Sequence, residues 1–90
     1  MNNHTLLAFT YSSDSMMYYY IENQIQAIQN QFPDLHIEHL NENDSRLKLF
    51  SEYPDRFPCY ILLKHGKRKN YIHSKMTDEK AIEWLVAKLG

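Results

Sequence analysis

The stretch Phe57-Pro58-Cys59-Tyr60-Ile61-Leu62-Leu63-Lys64-His65-Gly66-Lys67 limits most tightly what this chain can become. Tyr60 to Leu63 is a purely apolar run. So short a run, bounded by proline and glycine, reads as a strand buried on both faces. Proline has no N–H for a ladder, so Pro58 belongs at the head of that strand, and Phe57-Pro58 is a candidate cis bond. His65-Gly66 supplies a tight turn in which glycine can take φ > 0, and a second, amphipathic strand returns over Lys69 to His73.

Composition narrows the setting. The 90 residues form one domain, 1–90, with room for one modest core. The net charge of −1 favours neither nucleic acid nor an anionic membrane surface. One cysteine excludes an internal disulfide and disfavours a cysteine-based metal site. No apolar segment approaches a membrane span of about 20 residues. Met-Asn-Asn-His-Thr lacks the charged start of a signal peptide, so a reducing, cytoplasmic compartment is expected. Abundant Asn, Tyr, Ile and Lys suit an AT-rich genome, viral ones included.

Along the chain, Thr5 to Tyr11 reads as a central strand. Ser12-Ser13-Asp14-Ser15 are all good N-caps. A helix follows to Gln31, with Met17, Ile21, Ile25, Ile28 and Phe32 on its apolar face and Gln24, Gln26, Gln29 and Asn30 on the wet side. Leu35 to Leu40 alternates as a strand, and Ser45 to Tyr53 reads as a short helix. Thr77 caps a last helix with a stripe of Ala81, Ile82, Leu85, Val86 and Leu89, bordered by Trp84. The class is α/β, ordered β-α-β-α-β-β-α, with a central mixed four-stranded sheet and helices on both faces.

That order, with proline opening the third strand, resembles the thioredoxin fold in a minimal form. Phe57 to Lys67 is similar to the thioredoxin stretch Ile-Pro-Thr, hydrophobic run, Lys-Asn-Gly-Glu, whose proline is cis. Leu35 to Asn41 resembles the family's second-strand pattern, and Thr77 to Leu85 its closing helix. The family's Trp-Cys-Gly-Pro-Cys segment falls on Ser13-Asp14-Ser15-Met16-Met17, with Asp14 and Met17 where cysteines would be. A glutaredoxin-style register through Met16-Met17-Tyr18-Tyr19 holds no cysteine either. Ala8 takes the place of the family's buried carboxylate, Glu22 that of the helix proline and Ser74 that of the groove glycine.

The resemblance therefore implies a divergent member without Cys-x-x-Cys, redox-inactive and not an enzyme. Dithiol exchange needs a thiolate at a helix N-terminus and a second thiol to resolve the mixed disulfide. It implies a protein-binding module that uses the degenerate loop Ser13–Met17 and the cis-Pro edge, with Met16, Arg56, Phe57, Pro58, Cys59, Lys75 and Met76 as the binding face. The partner is another protein or a second copy. The alternative is a single-cysteine, thiol-handling or glutathione-linked protein acting through Cys59; a buried small hydrophobe is the competing reading of that residue.

No cofactor and no metal are expected. His36 and His39, three apart in a strand, face opposite sides, which is poor ligand geometry. Lys64, Lys67, Arg68 and Lys69 around the hairpin read as a solvated turn that protects a sheet edge; nucleic acid is disfavoured and no membrane is expected. Met16, Met17, Tyr18, Tyr19 and Tyr20 circle the first helical turns, so some must be exposed.

Overall fold

In the computed structural model, residues 3–46, 57–72 and 76–89 are described, with backbone alone for 68–71. The elements are β1 (His4–Thr10), α1 (Ser15–Gln31), β2 (His36–Asn41), β3 (Cys59–Lys64), β4 (Lys67–Ile72) and α2 (Asp78–Leu89). They build one sheet in the order β2-β1-β3-β4. β1 and β2 are parallel, joined by α1, as a crossover requires. β3 runs antiparallel to both β1 and β4.

The hairpin turn is made by the two residues His65 and Gly66, with φ of 54° and 78°. Positive φ at both positions matches the twist of the flanking strands, and glycine takes it without a Cβ penalty. The Phe57-Pro58 bond is cis, immediately before Cys59 opens β3.

Alternation along β1 and β3 divides the core into two layers. Leu6, Ala8, Tyr60 and Leu62 face Ile21 and Ile28 of α1 and Ala81 and Leu85 of α2. Leu7, Phe9, Cys59 and Ile61 face the other way, packed by Leu40, Phe57 and Leu63. Both described helices therefore lie on one side of the sheet. This corrects the expectation of helices on both faces for the described residues; the helix expected over Ser45 to Tyr53 falls mostly outside them, with only Ser45 and Arg46 in a helical turn.

Two side-chain expectations also change. Val86, placed in the apolar stripe of the last helix, is 57% exposed. The stripe turns on Ala81 and Leu85, and position 86 lies about 100° round the helix from Leu85. Gln24, placed on the wet side of α1, is 1% exposed. It is three residues from Ile21 and four from Ile28, so it sits on their face of the helix. Its Nε2 donates to the Met76 carbonyl at 2.6 Å and to Asp78 Oδ1 at 3.1 Å, while its Oε1 accepts from the Tyr60 hydroxyl at 2.6 Å. Glutamine is tolerated there because both ends of its amide are satisfied.

Candidate binding face at the carboxyl end of the first strand

The loop between β1 and α1 is held by its own polar groups. Asp14 is the N-cap of α1, and its Oδ1 accepts from the Met17 N–H at 3.0 Å. The Asp14 N–H donates to the Tyr11 carbonyl at 3.1 Å. From the turn after β2, Glu42 accepts from the Ser12 N–H at 2.8 Å and from the Ser12 hydroxyl at 3.1 Å. The Ser12 N–H holds the Glu42 carboxyl below its usual range. The Asp14 side chain thereby occupies one donor, the Met17 N–H, that a helix start would otherwise offer to an anion.

The five degenerate positions, Ser13 to Met17, fall here. Ser13, Asp14, Ser15 and Met16 are exposed, Met16 at 85%, whereas Met17 packs against the helix-side core. Across the sheet end, the Phe57 ring lies 4.8 Å from the Tyr11 ring and 5.8 Å from Phe9. The loop and the head of β3 are thereby side by side, and the ring that joins them is Tyr11. In the sequence Tyr11 reads only as the end of a strand; the signal for more is an aromatic residue directly before the capping run Ser12-Ser13-Asp14-Ser15.

Pro58 is half-buried beside Phe57. Met76 approaches from the other layer: its side chain packs against the helix-side core, and its carbonyl accepts from the Tyr20 hydroxyl at 2.6 Å as well as from Gln24. Phe57 and Met76 are thus anchored in opposite layers of the sheet. Arg56 and Lys75 of the expected face lie outside the described residues, as does Ser74.

Cys59 is 2% exposed, within the layer of Leu7, Phe9 and Ile61. Burial pushes its thiol up to about 12. A thiol so placed is protonated at neutral pH and shielded from a disulfide, which is the behaviour of a small core hydrophobe. In the other layer, Ala8 stands opposite Tyr60. Where the resemblance implies a carboxylate, this chain has a methyl group, and the buried polar pair nearby is Tyr60 with Gln24. Burial, with Tyr20 and Asp78 adding to it, raises the Tyr60 hydroxyl well above the usual phenol range.

Beside the loop, a cleft of about 350 Å³ is lined by Thr10, Ser12, Tyr18, His39 and Asp44, among others. His39, which the sequence offers only as poor metal geometry, makes three contacts here. Its Nδ1 is 2.6 Å from Glu22 Oε2, its Nε2 is 3.0 Å from Thr10 Oγ1, and the Tyr18 ring stacks on it at 4.2 Å. His36 instead pairs with Glu38 at 3.0 Å. Polar groups of the cleft are paired, Thr10 with His39 across it, Ser12 with Glu42 and Asp44 with Arg46 beside it. The cleft therefore fastens α1 to the ends of β1 and β2.

Solved structures share this fold over nearly the whole chain. An oxidised thioredoxin from Plasmodium falciparum superposes with a TM-score of 0.76 at 9% identity, covering 99% of this chain and 84% of that one. The chain has the thioredoxin fold. A mutant thioredoxin from Halobacterium salinarum (TM-score 0.72, 14% identity) and thioredoxin O2 from Arabidopsis thaliana (0.71, 15%) each match 99% of this chain and 77% of their own. No protein-family model matches the sequence, and no curated protein does. On this thioredoxin fold the Cys-x-x-Cys motif is absent, since the chain has one cysteine. None of the described helices is long and apolar enough to cross a membrane.

Proposed function

We propose that this chain is a protein-binding module on a thioredoxin scaffold, without dithiol chemistry, and that its binding face is the loop Tyr11–Met16 together with Phe57 and Pro58. The observation that carries the reading is the contact of Tyr11 with Phe57. It joins the loop to the head of β3 and leaves Tyr11 and Met16 open to solvent. Aromatic and methionine side chains are the residue types enriched in interface cores. The burial of Cys59 and its raised pKa favour this reading over thiol handling.

The test is a display selection of random peptides against the full chain, repeated on Phe57→Ala and Met16→Ala variants shown to be folded. Selected peptides should bind the native chain and lose about tenfold or more in affinity for the variants, as removal of an anchor does. Peptides that bind all three proteins equally would place the face elsewhere. A second assay follows reduction of a protein disulfide; sustained turnover by this chain would overturn the proposal.

A further inference from the structure

The two edges of the sheet are built differently. β4 carries Lys67, Arg68 and Lys69 in its first three positions. The pairing with β3 steps from Asn70 to Arg68 between Leu62 and Leu63, so Lys69 is the extra residue of a bulge. Cations and bulges both protect an edge from pairing with another chain. Two β4 strands laid antiparallel about Arg68 would also set Lys67 against Lys69. That edge repels itself.

β2, the opposite edge, reads His36-Ile37-Glu38-His39-Leu40-Asn41. Among the described residues no strand lies on its outer side, and it holds neither lysine, proline nor bulge. Its first three residues are self-complementary when a second copy runs antiparallel. A two-fold axis perpendicular to the sheet keeps each side chain on its own face, so one residue must face its own counterpart. With Ile37 on the axis, His36 of each copy stands opposite Glu38 of the other, and Leu35 opposite His39. With Glu38 on the axis, two carboxylates collide. With the axis on His36, His39 or Leu40, Glu38 would face Asp34, Leu40 or Glu42, so among these registers only the one about Ile37 sets Glu38 against a histidine.

We propose that β2 is a self-association edge: two copies pair these strands antiparallel about Ile37, with His36 of each against Glu38 of the other, and extend the sheet across both. Glu38 has the capacity for this. One of its oxygens accepts from Arg46 at 2.9 Å and the other lies 3.0 Å from His36 of its own chain, leaving lone pairs on both. Arg46 first, and His36 second, hold its carboxyl below the usual range, so the charge is present at neutral pH.

Sedimentation velocity on the full chain tests this with two charge variants. The native chain should dimerise as its concentration rises. Glu38→Lys sets a lysine against His36 of the other copy, and His36→Glu sets a glutamate against Glu38. Each alone should weaken the dimer about tenfold or more, because by symmetry the His36–Glu38 contact is lost twice. Mixed in equal amounts, the two variants should pair with each other: the introduced lysine faces the introduced glutamate, and native His36 faces native Glu38. Merely misfolded variants would not be rescued by mixing.

Ile37→Cys gives an independent reading. A cysteine there should cross-link to its counterpart under mild oxidant, and one introduced at His36 should do so much less. A native chain that stays monomeric, variants that dimerise as the native chain does, a mixture that stays monomeric, or no cross-link at position 37 would each overturn the proposal.

Discussion

The Glu42 carboxylate holds both the backbone N–H and the hydroxyl of Ser12, at 2.8 and 3.1 Å. A residue beyond the second strand thereby closes the loop beyond the first. Glu42→Gln should speed hydrogen exchange of the Ser12 amide at neutral pH while leaving exchange in the β1 core unchanged. Because the folded pKa lies below the usual 4.5, the contact contributes above that value and is lost as the pH falls through the folded pKa. The Ser12 amide shift should follow that titration, and should not do so in the glutamine variant.

Gln24 and Tyr60 should prove energetically coupled. Gln24→Leu strands the Tyr60 hydroxyl in the core and removes donors from the Met76 carbonyl and Asp78, at a cost of about 1–3 kcal/mol by denaturant unfolding. Tyr60→Phe alone should cost about 1 kcal/mol. The double variant should be less destabilised than the sum, since the second change removes the group the first left unpaired.

Cys59 should resist thiol reagents in the native state and react once the chain is unfolded. The thiol also sets an alkaline limit. Between the usual value of 9.0 and about 12, the unfolded chain releases the proton that the folded chain keeps, so stability falls with rising pH. The slope from this group is up to ~1.4 kcal/mol per pH unit. Cys59→Ala should remove that part of the decline, leaving the part due to Tyr60, which burial shifts in the same direction.

Met16 and Phe57 should separate under alanine substitution. Met16, at 85% exposure, should change stability by no more than about 0.5 kcal/mol. Phe57→Ala loses ring contacts with both Phe9 and Tyr11 and should cost about 2–4 kcal/mol by chemical denaturation. Similar values for the two would mean that Phe57 is not part of the layer formed by Leu7, Phe9 and Ile61.

The amino-acid sequence by itself determined the scaffold and the missing chemistry. The apolar run after Pro58, the His65-Gly66 turn and the three- and four-residue spacing of Ile21, Ile25 and Ile28 are local patterns, and local patterns specify strands, turns and helices. A single cysteine excludes a dithiol in any fold. Only the tertiary structure decided which side chains are used together. Gln24 reads as polar surface until Tyr60 and Met76, 36 and 52 residues away, supply its partners. His39 reads as one of five histidines until α1 brings Glu22 and Tyr18 against it and β1 brings Thr10. Tyr11 becomes part of a face only when the antiparallel β3 begins beside it and delivers Phe57. The same holds for the two edges: the residues of β2 and β4 can be read in the chain, but only the sheet order makes them edges among the described residues. Partners so far apart in sequence are set by the packing of whole elements, which no local pattern encodes.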